Sequence, residues 1–283
     1  MEWPPSKYDW PLQQHSQRVQ AAGHRWHVQI MGQGPAIVLL HGAGAGGQSW
    51  RNLAPILAQH WQVIIPDLPG QGFSVARPGS GFGISDMSQD LQVLLRKLEC
   101  MPVAIVGHSA GAVVALDMAK TMPLDQLVAI NPALRQFDGM AGWLYPAMAR
   151  TLARVPFSRA VLARTVSKLQ NITRLLAATG SKTDADTARL YGTLAQDAAH
   201  IGGTLSMMAH WDLNTLLPDL PNIASKCLFV IGKKDGTVPP DVGLTAVNYL
   251  PDATAQTFSN LGHLAHEEDP KRIAQAINEF LYP

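Results

Sequence analysis

The sequence predicts an α/β protein, a mainly parallel sheet flanked by helices and interrupted by a helical insertion. Three observations predict it. Short β-rich runs alternate with helical patterns along most of the chain. Several of those runs are almost continuously apolar, as strands covered on both faces must be. Between "LVAIN" and "CLFVIG" the alternation stops for about 95 residues and only helical patterning continues. Alternation of strand and helix implies crossover connections, and hence a parallel sheet.

The strands are expected, in order, at "HRWHVQIM" from His24, "AIVLL" from Ala36, "WQVII" from Trp61, "VAIVG" from Val103, "LVAIN" from Leu127, "CLFVIG" from Cys227 and "ATAQTF" from Ala253. Residues 1–135 and 216–283 are read as the sheet domain, and 136–215 as a helical cap. With 283 residues, 47% of them apolar and 15% charged, the chain can bury a substantial core. A net charge of +1 offers no overall basic field for nucleic acid, so an electrostatic partner would have to meet a local patch. Cys100 and Cys227 show no metal-ligand spacing and read as ordinary buried thiols of a reducing compartment. The opening "MEWPPSKYDW" lacks the basic start and apolar run of a secretory signal, so export is not expected. The apolar run from Met101 to Leu116 is too short to span a bilayer, and a cytoplasmic protein is expected.

The chemistry is concentrated in "VGHSAGAVV". Ser109 stands where an apolar strand gives way to an apolar helix, with Gly107 and Gly111 two residues away on either side. A tight strand-to-helix turn that lifts a serine hydroxyl clear of the backbone needs small neighbours at those positions. A serine is a poor nucleophile until a base takes its proton, and the base needs a carboxylate to hold its tautomer. Asp235, in "VIGKKDGTVPP" beyond one buried strand, and His263, in "FSNLGHLAHEEDP" beyond the last, supply both in the order Ser, Asp, His. The glycine-rich "VLLHGAGAGGQSW" follows the strand from Ala36, where a backbone N–H can face a developing oxyanion. That donor is assigned to Ala43, and the second to Ala110, directly after the serine.

The motifs "HG", "PDLPGQGFS", "GHSAG", "GKKDGTVP" and "GHLAHEEDP" resemble the α/β-hydrolase family from His24 to Leu281. A narrower resemblance, carried by "DWP", "RWHVQIMGQGP", "QSWRNLAP", "MMAHWDLNTLLPDLP" and "LGHLAHEEDP", is to the BchO group of magnesium-chelatase accessory hydrolases. That resemblance implies a setting in bacteriochlorophyll synthesis, a porphyrin-like or other apolar ester as substrate, and magnesium-chelatase subunits as partners.

Other residues read more plainly. Asp67 in "IIPDLPG" is expected to be structural, and a serine at the nucleophile position argues against the chemistry of aspartate-nucleophile enzymes. Asn131, after the strand from Leu127, makes a competing acid there unfavourable. His266 is expected to face away from the site, and His41 and His108 to pack in loops. No cluster has metal-ligand spacing, so neither metal nor cofactor is expected. From Gly139 to Thr183 there is no acid, while Arg150, Arg154, Arg159, Arg164, Lys168, Arg174 and Lys182 are basic. With Leu144, Met148, Leu152 and Val155 on one helical face, the segment reads as a lid over an apolar pocket, as a patch for anionic membrane, or as a set of cations that pair with substrate carboxylates. Trp143, Met207, Met208 and Trp211 are candidate lining for a large flat apolar ligand. The expected activity is ester hydrolysis; carbon–carbon bond cleavage by the same three residues, or a non-catalytic tetrapyrrole-binding role, are the alternatives.

Overall fold

The computed structural model describes residues 1–135 and 167–282. Its sheet has eight strands in the order β1-β2-β4-β3-β5-β6-β7-β8. These are β1 (Ser16–Ala21), β2 (His24–Met31), β3 (Ala36–Leu40), β4 (Gln62–Pro66), β5 (Ala104–His108), β6 (Gln126–Ile130), β7 (Lys226–Gly232) and β8 (Ala253–Phe258). From β4 to β8 every pairing is parallel. At the other edge β1 and β2 form an antiparallel hairpin, and β2 also runs antiparallel to β4. The sheet is therefore mainly parallel, as expected, with one strand more than the sequence announced. β1, "SQRVQA", is mostly exposed and polar, so it carries little of the apolar signal that marks a buried strand.

The central strands are apolar at nearly every position because both faces are covered. Side chains alternate across the pleat: Val38, Leu40, Ile105 and Phe229 join one core, while Ile37, Leu39, Val106 and Val230 join the other. Full burial of one such side chain contributes about 1.5–3 kcal/mol. The first core is closed by α2 (Ile84–Lys97) and α3 (Ala110–Ala119), which follow the four-residue helix α1 (Ala54–Leu57). α3 is buried along almost its whole length, which is why "AGAVVALDMA" is apolar all round rather than on one stripe.

The described stretch between β6 and β7 holds α4 (Leu169–Ala178), α5 (Ala185–Gln196) and α6 (Ala198–Ala209). Asp184 and Asp197 accept hydrogen bonds from the third residues of α5 and α6 and so cap them. After β7 come α7 (Pro240–Ala246), α8 (Ala265–Glu268) and α9 (Pro270–Leu281). α9 is amphipathic and lays Ile273, Ala274, Ile277 and Leu281 on the second core.

Arg51 joins the sheet side of the molecule to α5. Its guanidinium donates to the Glu267 carboxylate at 2.7 Å and to the Thr187 hydroxyl at 2.6 Å. The Tyr191 hydroxyl of α5 donates to the other oxygen of Glu267 at 2.8 Å. Burial pushes the Glu267 carboxyl up to about 7 against the pull of Arg51. Cys227 is a buried free thiol, pushed up to about 12 by burial, whereas Cys100 is only half-buried. Among the described residues no helix is long and apolar enough to cross a membrane.

Candidate active site

Ligand sites in parallel α/β sheets lie beyond the carboxyl ends of the strands, and four strand ends converge here. Ser109 follows β5, Asn131 follows β6, Asp235 lies in the turn after β7, and His263 lies in the loop after β8. The backbone of Ser109 has φ 52° and ψ −114°, a conformation that L side chains rarely adopt. Hydrogen bonds hold it there: its N–H donates to Ile130 O at 2.9 Å and its carbonyl accepts from Ala133 N–H at 3.2 Å. The flanking glycines are required by contact rather than by flexibility. A Cβ at Gly107 would overlap the backbone of Ala112, and one at Gly111 the carbonyl oxygen of Leu40.

Asp235 and His263 meet beyond the ends of β7 and β8. The Nδ1–H of His263 donates to Asp235 Oδ2 at 2.7 Å. The other carboxylate oxygen accepts the N–H groups of Thr237 and Val238 at 2.7 and 2.8 Å, so the carboxylate cannot turn away from the imidazole. The Asp235 side chain is 1% exposed and that of His263 8%. Ser109 is half-buried, and its hydroxyl makes no hydrogen bond to His263 in this structure. His108, the residue before it, places its ring 4.7 Å from the His263 ring.

The glycine-rich loop after β3 is pinned on both sides of Ala43. The His41 ring donates from Nδ1 to Gly42 O at 2.8 Å and accepts the Leu68 N–H on Nε2 at 2.9 Å. Gly44 N–H donates to Gln71 Oε1 at 2.8 Å, while its carbonyl accepts from His200 Nε2 of α6 at 3.3 Å. Gly47 N–H donates to Asp67 Oδ1 at 2.7 Å. Ala43 itself is exposed, and Ala110 opens α3, where the first N–H groups have no acceptor within the helix. Gly42 allows the loop to lie against the serine, since a Cβ there would sit 3.1 Å from Ser109 Cβ and 2.9 Å from His108 Nδ1.

Asp67, fully buried, accepts from His27 Nδ1, Gly47 N–H and Phe73 N–H and so anchors the loops beneath the site. Burial alone would raise its pKa; His27 opposite it, reinforced by His41 and the Phe73 amide, brings it down to about 2. His266 is buried between Trp50 and His108, with ring centroids 4.4 Å from each, and makes no hydrogen bond to Asp235. Burial lowers its pKa to about 3, and His108 is held well below the usual histidine value by burial and the neighbouring imidazoles.

Of the candidate lining residues, Trp143 lies outside the described residues, as do Leu144, Met148, Arg150, Leu152, Arg154, Val155, Arg159 and Arg164. Met207 is fully buried, its sulfur accepting from Gln71 Nε2 at 3.4 Å; Met208 is exposed, and Trp211 is half-buried against the first core. Three contributors carry no sequence motif that marks them: Gln71 and His200, which brace the glycine-rich loop, and Asn131, which bonds the loop of His263 and the end of β7. The Asn that ends "LVAIN", a polar residue closing an apolar strand, was the available signal. No group of three His, Cys, Asp or Glu side chains among the described residues could hold a metal ion.

Comparison with known proteins agrees with this architecture. Residues 35–270 match a family model described as the alpha/beta hydrolase fold. The chain is 40% identical over 275 residues to the magnesium-chelatase 30 kDa subunit of Rhodobacter capsulatus, covering 96% of each. It is 25% identical over 276 residues to 2-hydroxy-6-oxo-2,4-heptadienoate hydrolase of Pseudomonas putida, covering 93% of this chain and 95% of that protein. Among solved structures, an esterase from Exiguobacterium antarcticum superposes with a TM-score of 0.78 at 18% identity, covering 94% of this chain and 99% of that one.

Proposed function

This chain belongs to the alpha/beta hydrolase fold family, and on that premise we propose that it is a serine hydrolase acting on an apolar ester. The observation that carries the proposal is the 2.7 Å bond between His263 Nδ1–H and Asp235 beside a serine held at positive φ. With Nδ1 carrying the proton, the neutral imidazole keeps its Nε2 lone pair for the Ser109 hydroxyl. Ser109 Oγ attacks the ester carbonyl carbon as Nε2 takes its proton. The negative charge gathers on the carbonyl oxygen, toward the N–H groups of Ala43 and Ala110. Collapse breaks the bond to the alkoxide, which leaves with the proton from His263. Water then attacks the acyl-serine, losing a proton to the same nitrogen, and the acid departs as Ser109 is reprotonated. Asp235 remains ionised throughout.

Similarity to the magnesium-chelatase subunit supports a magnesium-porphyrin setting. In the fuller proposal a helical cap over residues 136–215 covers the site, Met208, Trp211 and Trp143 contribute apolar surface to it, and chelatase subunits are partners. The basic stretch from Gly139 to Thr183 docks the protein on anionic membrane.

A fluorophosphonate probe followed by peptide mass spectrometry tests the chemistry: an adduct on Ser109 is expected, lost in Ser109→Ala. His263→Ala should lower ester turnover by a factor on the order of 10⁵ to 10⁶ with the natural substrate, while His266→Ala retains far more activity. No adduct on folded protein, or greater damage from His266→Ala, refutes the assignment. Similarity to the heptadienoate hydrolase favours a second reading, hydrolysis of a ketone at a carbon–carbon bond. Product analysis separates the two, because an ester releases an alcohol with its acid.

A further inference from the structure

We propose that His108 and Asn131 are positioning residues that jointly hold the main-chain carbonyl of His263, and through it the height of the imidazole above Ser109. The inference rests on the catalytic reading of His263. A carbonyl oxygen has two lone pairs, and here both are occupied by side-chain donors. His108 Nε2–H donates to His263 O at 2.9 Å, and Asn131 Nδ2–H donates to the same oxygen at 2.9 Å. Both donors are 2% exposed, so water does not compete for the bond.

The two donors start from places already fixed relative to the nucleophile. His108 ends β5 immediately before Ser109, and it pairs with Ile130, the residue before Asn131, in the parallel register of β5 and β6. Asn131 reaches further: Nδ2 also donates to Gly262 O at 3.0 Å, while Oδ1 accepts from Gly232 N–H at 2.8 Å at the end of β7. One amide therefore touches the loop that carries His263 and the strand end that leads to Asp235. Only an amide serves both sides. An aspartate could accept from Gly232 but would turn a carboxylate oxygen toward two carbonyl oxygens. The backbone of Asn131 lies at φ 44°, a region that asparagine tolerates better than most side chains. His108 meets the matching requirement, since its neutral Nε2–H form is the one a carbonyl can accept from. Among the described residues these are the two side-chain donors to His263 O, and the His263 N–H is held separately by Thr179 O at 3.2 Å.

The test compares Asn131→Asp, His108→Phe and His108→Gln with wild type. The last retains a donor at the end of a side chain of similar reach. Two readouts are taken on folded protein: hydrogen–deuterium exchange of the 259–265 segment, and the rates of fluorophosphonate labelling and ester turnover. Asn131→Asp and His108→Phe should speed exchange at Leu261 to Leu264 by about tenfold. They should lower kcat and the labelling rate by about 100-fold with KM nearly unchanged, the cost of misplacing a catalytic group by about 1 Å. His108→Gln should recover most of both. Wild-type exchange in Asn131→Asp and His108→Phe overturns the proposal, whatever their activity, and so does faster exchange with kcat intact. If Asn131→Asp fails to fold, the His108 pair alone decides it. A wild type that the probe does not label refutes the hydrolase reading, while the exchange comparison still decides whether the two side chains hold the loop.

Discussion

Replacing Asp67 by Asn tests how the loops beneath the site are held. The wild-type carboxylate is completely buried and accepts three hydrogen bonds, from His27 at 2.7 Å, Gly47 at 2.7 Å and Phe73 at 2.8 Å. Its pKa falls from 3.8 to about 2. At 1.36 kcal/mol per unit, that difference stabilises the folded protein by about 2 kcal/mol near neutral pH. An asparagine has a single acceptor oxygen, so its amide nitrogen must face at least one of the three donors. The best compromise strands the buried Gly47 N–H, at a further cost of about 1–3 kcal/mol. We expect Asp67→Asn to lose about 3–5 kcal/mol at pH 7. The sign with pH follows from the depressed pKa. The stabilisation is complete above 3.8 and is lost as the pH falls toward 2, so the gap between wild type and variant should narrow through that window. Urea unfolding followed by tryptophan fluorescence, from pH 7 down to pH 2.5, measures both quantities. A loss below about 1 kcal/mol at pH 7, or a gap unchanged at pH 2.5, refutes the reasoning.

Three further outcomes are expected. Gly111→Ala should cost about 3 kcal/mol or more, because its Cβ would meet the Leu40 carbonyl; Gly192→Ala in α5, where a Cβ would meet none of the described residues within 4 Å, should gain about 0.5–1 kcal/mol. Thermal unfolding of both variants checks the contrast. Glu267 is raised from 4.5 to about 7, so the folded state holds its proton more tightly than the unfolded chain, and its contribution to stability should decline as the pH rises across that interval. Glu267→Gln should remove that slope, and a variant melting temperature that falls between pH 5 and 7 as steeply as wild type counts against it. Vesicles rich in anionic lipid should co-sediment the protein at low salt and release it at high salt, and changing Arg150, Arg154 and Arg159 together to Gln should weaken the binding. Equal sedimentation of the two proteins eliminates the membrane-docking part of the proposal.

The sequence by itself determined the class of the fold, and it sets Ser109, Asp235 and His263 in that order along the chain. Continuous apolar runs such as "AIVLL" and "CLFVIG" are strands because both faces are buried, and that is written locally. Gly107 and Gly111 announce a sharp turn at Ser109 because backbone atoms must come close there, and the requirement spans only five residues. The polar edge strand "SQRVQA" was not legible, since a strand paired along one edge that lays only Val19 and Ala21 on the core has little apolar signature. Whether His263 or His266 faces the carboxylate was also a tertiary decision: three residues apart, one meets Asp235 and the other lies between Trp50 and His108. The same holds for the bonds that brace the site. His108 and Asn131 reach His263 across 155 and 132 residues, and Arg51 reaches Glu267 across 216. Periodicity and turn chemistry act over a few residues, whereas these partners are chosen by strand order and register. Both come from packing the whole sheet, so only the folded chain could name them.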